Sequence, residues 1–168
     1  MNVIKLSVFF IKWPAEIFDR FQDVFLLALR LYVGWQFFHS GLLKLNSWSN
    51  TLYLFQYEYK VPLLPPYPAA VLGTFGELFF PVLLWVGLTG RLAAAGLQAV
   101  NIMAVISYAH VLFNPDFGTG TPTDHYYWGL MMLVIMIFGP GRASLDELLS
   151  RYSFRVKPGF FRAREVQS

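Results

Sequence analysis

The stretch YPAAVLGTFGELFFPVLLWV, residues 67–86, decides the fold. It has the length of a helix that crosses a hydrocarbon core about 30 Å thick, and its one charged residue is Glu77. Three further apolar stretches of roughly 16 to 23 residues begin near Phe25, Leu92 and Tyr126. The expected architecture is therefore all-α, an integral membrane four-helix bundle. Arg30, His39, Gln98, Asn101 and His110 lie inside the other stretches, and an ionisable group at bilayer depth costs about 2.5–3.5 kcal/mol on insertion scales. These groups are expected to face one another as an internal polar layer.

Composition agrees with a bilayer as solvent. Of 168 residues, 56% are hydrophobic and 14% charged, whereas soluble domains carry about a quarter charged residues. One membrane domain, residues 24–150, is expected between an N-terminal cytoplasmic or interfacial segment, 1–23, and a basic cytoplasmic tail, 151–168. That leaves no room for a separate soluble catalytic domain. The absence of cysteine excludes disulfides, thiol redox chemistry and thiolate metal sites on this chain. The net charge of +3 does not point to nucleic acid, because the basic residues flank apolar spans instead of forming a patch. The expected partner is the lipid bilayer.

Those flanking residues give orientation. Lys5, Lys12 and Arg20 precede the first span, Arg91 lies by the turn between the second and third, and Arg142, Arg151, Arg155, Lys157, Arg162 and Arg164 follow the fourth. The other side has only Lys44 and Lys60. The positive-inside rule then places both termini of a multi-pass membrane protein in the cytoplasm. Lys12-Trp13-Pro14 interrupts the N-terminal apolar residues, so an uncleaved interfacial segment is expected in place of a secretory signal. The aromatic run from Trp48 to Tyr59 reads as an outer interfacial helix, and the prolines from Pro62 to Pro68 as an extended lead into the second span. Gly118-Thr119-Gly120 reads as a turn. Gly139-Pro140-Gly141 stops the fourth span, Ser144 and Glu147 form a capping box, and Leu145, Leu148, Leu149 and Tyr152 line one face of a cytoplasmic amphipathic helix.

Depth along each span sorts the polar residues into layers. Arg30, Glu77, Gln98 and Asn101 form an inner layer, in which Arg30 is expected to pair with Glu77. Arg30 shares a helical stripe with Gly34, Phe37, Gly41 and Lys44 that should face the bundle. Pro81 frees the carbonyl of Glu77, which Gln98 or Asn101 is placed to satisfy. Such a layer serves either as a structural ion pair or as a site for protons and quinone hydroxyls, since a protonated Glu donates and an ionised one accepts. His39, Lys44, His110, Asp124 and His125 belong to the outer side as candidate ligand or proton-handling groups. His110, His125 and Met103 are the candidate ligands for copper, without a recognisable ligand spacing. No phosphate loop, nucleophile elbow or zinc-protease helix occurs, so the chain is read as more an accessory than an enzyme by itself. Four spans leave little room for transport by alternating access, although a homo-oligomer would add more.

Arg30, Gly34, His39-Ser40-Gly41, Lys44, Val61-Pro62, Glu77, Gly87, Arg91 and Gly139-Pro140-Gly141-Arg142 with Ser144 and Asp146, in this order, resemble the DoxX family of small four-helix membrane proteins. The resemblance spans about residues 24 to 150. It implies a redox-associated inner-membrane protein, since DoxD-type relatives form a subunit of thiosulfate:quinone oxidoreductase. Residues 55–66, with Asp124-His125 and Trp128-Gly129, resemble the HvfX-like branch associated with copper-binding modified peptides. The resemblance thus implies an accessory component of a redox or metal-handling system. The alternatives are a quinone-reactive oxidoreductase subunit and a copper-peptide maturation protein, with quinone or copper as cofactor and proteins of those systems as partners. Without cysteine, this chain has no residue for sulfur transfer.

Overall fold

Pro66 opens and Gly87 closes the helix that residues 67–86 predict. Proline suits the first helical position, where its missing N–H has no intrahelical partner to lose. At the other end Leu88 N donates to Leu83 O (3.0 Å) and Gly87 N to Leu84 O (3.1 Å), the Schellman pattern, with Gly87 at φ +67°. The computed structural model describes residues 3–117 and 121–155. Among these the chain is all-helical: α1 (Val3–Asn46), α2 (Trp48–Tyr57), α3 (Pro66–Val86), α4 (Gly90–Ser107), α5 (Ala109–Leu112), a 3₁₀ turn (Pro115–Phe117), α6 (Thr123–Phe138) and α7 (Leu145–Arg155). The expected turn at 118–120 and the tail beyond Arg155 lie outside the described residues.

Of the four expected spans, α3 and α4 are long and apolar enough to cross a membrane. The helix α1 has 44 residues, about 66 Å at 1.5 Å per residue, and α6 has 16, about 24 Å. The backbone carries α1 through Pro14. A proline removes one helical hydrogen bond, and the turns on either side keep theirs. The aromatic stretch forms α2 with Thr51 and Phe55 buried; the proline segment is non-helical through Pro65, but Pro66-Tyr67-Pro68, expected to be extended, form the first turn of α3, where a proline's missing N–H has no intrahelical partner to lose. Glu147 N donates to Ser144 Oγ (3.3 Å), which is one half of the capping box; the Glu147 carboxylate accepts from Arg151 Nε instead (2.8 Å).

Helix α1 packs on α3, α3 on α4, α4 on α6, and α6 back on α1. Leu29, Val33, Phe37, Leu84, Ala93, Ala94, Leu97, Met132 and Ile135 fill the space between them. The stripe of α1 faces inward as expected: Arg30, Gly34, Phe37 and Gly41 are buried. A Cβ at Gly34 would collide with the Trp85 indole, and one at Gly41 would meet Leu78 and the Cβ of Glu77. These two glycines let α1 and α3 approach closely in antiparallel register.

At one end of this pair sits Arg30, 1% exposed. Its Nε donates to Leu84 O (2.7 Å), Nη2 to Trp85 O (2.8 Å), and Nη1 to Pro140 O (2.5 Å) and Ala143 O (2.9 Å). One guanidinium thus closes the carbonyl end of α3, where the helix dipole is negative, and holds the α6–α7 connection against it. Asp146 completes the junction by accepting from Thr89 N (2.7 Å) and Gly90 N (2.8 Å) at the start of α4. A Cβ on Gly87 would overlap Ser144 and Arg30, and its left-handed backbone disfavours one in any case.

Arg30→Lys keeps the charge but replaces a planar fork by a single ammonium, which cannot reach carbonyls on both elements. Each stranded carbonyl costs about 1–3 kcal/mol. Thermal unfolding in mild detergent is therefore expected to show a clear loss of stability, and an unchanged midpoint would refute the assignment.

Candidate functional site

The other end of the α1–α3 pair carries the second buried charge. Lys44 Nζ donates to Glu77 Oε1 (2.7 Å) and Oε2 (2.5 Å) and to Ser40 Oγ (3.0 Å), so its three protons are all used. Ser40 stands one turn before Lys44, and Thr51 of α2 donates to the Lys44 carbonyl (2.9 Å). The expected Arg30–Glu77 pair is therefore not formed. Gly41 lies level with Glu77, and Arg30 is eleven residues earlier, about 16 Å along the helix. Depth counted from the edge of an apolar stretch misplaced α1, because α1 has no visible start near that edge.

A second pair links α4 to α6. Asn101 Nδ2 donates to the His125 carbonyl (3.0 Å), and Asn101 Oδ1 lies 2.8 Å from His125 Nδ1. Asn101 therefore turns to α6 and does not satisfy the carbonyl of Glu77. Gln98, one turn earlier on α4, faces the same place: a Cβ on Gly129 would sit 3.3 Å from Gln98 Nε2 and 3.4 Å from Asn101 Nδ2. The missing side chain at Gly129 makes room for both amides. Trp128 packs edge-on against His125 (5.0 Å) and Phe37 (5.4 Å).

Two buried polar atoms near these pairs have no hydrogen-bond partner among the described residues, Thr74 Oγ1 and Gln98 Oε1. Thr74 lies three residues before Glu77 and so on the same face of α3. Tyr59, in the connection between α2 and α3, packs edge-on against Phe55 and Tyr108, and Lys60 N ties this connection to the end of α4 by donating to Ser107 O (2.8 Å). Burial raises the Tyr59 phenol above its ordinary range, and Tyr108, Glu77 and Glu58 add to the rise. It remains a protonated donor at neutral pH.

The structure thus brings Lys44, Glu77, Asn101, His125 and Gln98 to the contacts between α1, α3, α4 and α6, and separates Arg30 from them. His39 is exposed and stacks on Trp35 (5.9 Å). His110 is exposed on α5 beside Tyr108, Met103 is exposed on α4, and Asp124 is exposed. No group of three or more His, Asp or Glu able to hold a metal ion occurs among the described residues. Ser40, Thr74 and Tyr59 were not among the site residues expected from sequence. Ser40 and Thr74 stand at helical spacing from Lys44 and Glu77, which is the signal that identifies them.

The DoxX family matches residues 25–110, half of the chain. A protein of Haemophilus influenzae, described only as uncharacterized, is 31% identical over 136 residues, covering 77% of this chain and 86% of its own. This chain belongs to the DoxX family, a family of membrane proteins. No solved structure matches it.

Removing one partner of a buried ion pair strands the other charge, at about 3–5 kcal/mol. Lys44→Met is expected to lower the unfolding midpoint in detergent strongly, and adding Glu77→Leu to recover most of the loss. Equal destabilisation by the single and double variants would show that the pair is not coupled.

Proposed function

We propose that this protein is a four-helix bundle of the bacterial inner membrane, with α1, α3, α4 and α6 spanning and both termini cytoplasmic. It serves a redox system as an accessory component, and its outer polar cluster receives a hydroxyl-bearing ligand of the quinol class. The observation that carries this reading is the pair of unsatisfied atoms, Thr74 Oγ1 and Gln98 Oε1. Each buried polar group without a partner costs about 1–3 kcal/mol. A cluster that only held helices together would gain by replacing them with apolar groups. A hydroxyl ligand both donates and accepts, so it offers Gln98 Oε1 a proton and Thr74 Oγ an acceptor, beside a carboxylate and an imidazole. Family membership and the ten-to-two distribution of basic residues support the setting and orientation.

The orientation is tested by fusions at the C-terminus, where green fluorescent protein is expected to fluoresce and alkaline phosphatase to stay inactive; the reverse would invert the topology. The site is tested by titrating a short-tailed hydroquinone into the purified chain and following tryptophan fluorescence. Thr74→Val is expected to stabilise the protein by about 1 kcal/mol, since it removes a buried unpaired hydroxyl, and to weaken hydroquinone binding about tenfold through a lost hydrogen bond. A destabilised variant with unchanged affinity would reject the site.

A further inference from the structure

The Asn101–His125 contact contains enough geometry to place a proton. The backbone carbonyl of His125 can only accept, so the Asn101 atom 3.0 Å from it is the Nδ2 amide. That orients Asn101 Oδ1, also only an acceptor, toward His125 Nδ1 at 2.8 Å. A hydrogen bond between them requires the proton on Nδ1. We infer that Asn101 is a positioning residue that fixes the His125 proton on Nδ1 and leaves Nε2 as the acceptor for the hydroxyl of the site's ligand. This rests on the quinol-class reading above and names the atom that reading lacks.

Three observations make the arrangement more than a satisfied histidine. Asn101 is 3% exposed and spends both ends of its amide on one residue, so the imidazole and its own backbone are gripped together. The ring is further held by the edge of Trp128. Among the described residues Nδ1 bonds to Asn101, while no donor from the chain reaches Nε2. His125 is only half-buried, so its free nitrogen is not sealed in the core. A free imidazole distributes its proton between the two nitrogens, and a second hydrogen bond is what selects one. Asn101 supplies that selection from α4, and Gly129 keeps the space in which its amide turns.

Nitrogen NMR of the full chain in lipid nanodiscs, labelled with ¹⁵N-histidine, reads this directly. A His39→Gln, His110→Gln background leaves His125 as the one labelled residue, and both replaced rings are exposed. At a pH where the ring is neutral, the Nδ1–H tautomer is expected, with Nε2 showing the unprotonated signature. Asn101→Leu is expected to release it to a mixture in which the Nε2–H form predominates, and Asn101→Asp, which still accepts from Nδ1, to restore the original form. Adding the short-tailed hydroquinone is expected to move the Nε2 resonance and leave Nδ1 protonated. Finding Nε2–H in the parent protein, or no tautomer change in Asn101→Leu, overturns the inference. Hydroquinone binding that quenches tryptophan without moving Nε2 overturns it while leaving the proposed function standing. An absence of hydroquinone binding overturns both.

Discussion

A guanidinium whose hydrogen bonds go to main-chain carbonyls organises this molecule. Arg30 is buried at the junction of α1, α3 and the α6–α7 connection; its hydrogen bonds go to backbone carbonyls, and the Asp146 carboxylate is near enough to act on its charge. Carbonyls at the end of a helix are a natural partner, because they lack intrahelical donors and carry the negative pole of the dipole. The arrangement closes α3 and fixes α1 against it. With that register set, the stripe of α1 delivers Lys44 to Glu77 fourteen residues on, about 21 Å away. The buried Arg30 and the half-buried Lys44 thus stand at opposite ends of one antiparallel pair and answer to different partners.

The ends differ in chemistry. Around Arg30 the donors meet fixed main-chain acceptors, and Asp146 closes the start of α4 in the same manner. Elsewhere the polar contacts are between side chains: Lys44, Glu77 and Ser40 join α1 to α3, and Asn101 and His125, with Gln98 beside Gly129, join α4 to α6. Main-chain acceptors make a rigid clasp. Side-chain groups with two protonation or rotational states make a surface able to exchange partners, which suits ligand binding.

Much of the fold was legible from sequence. Apolar length identified α3 and α4, the proline segment separated α2 from α3, and Gly139-Pro140-Gly141 marked the end of α6. The inward stripe on α1 was readable from helical spacing alone. The partner of Arg30 was not, because backbone carbonyls carry no signature in a sequence and an acidic side chain at similar counted depth looked the natural match. Lys44 was placed at the outer boundary, yet its stem carries the ammonium back to Glu77. The start of α1 was also illegible, since the helix begins well before any apolar edge. In the site, residue types were visible, but which amide turned to which helix depended on the empty place at Gly129.

The brevity of α6 has a further consequence in the proposed bilayer setting. Its 16 residues are about 6 Å shorter than an average hydrocarbon slab. Lipids beside this helix must compress, or headgroups and water must dip to meet its ends. His125 lies in its first turn, so the local dip would bring aqueous protons close to the imidazole. The same thinned annulus would favour a neighbour with an equally short helix, because two such proteins side by side distort less lipid than two apart.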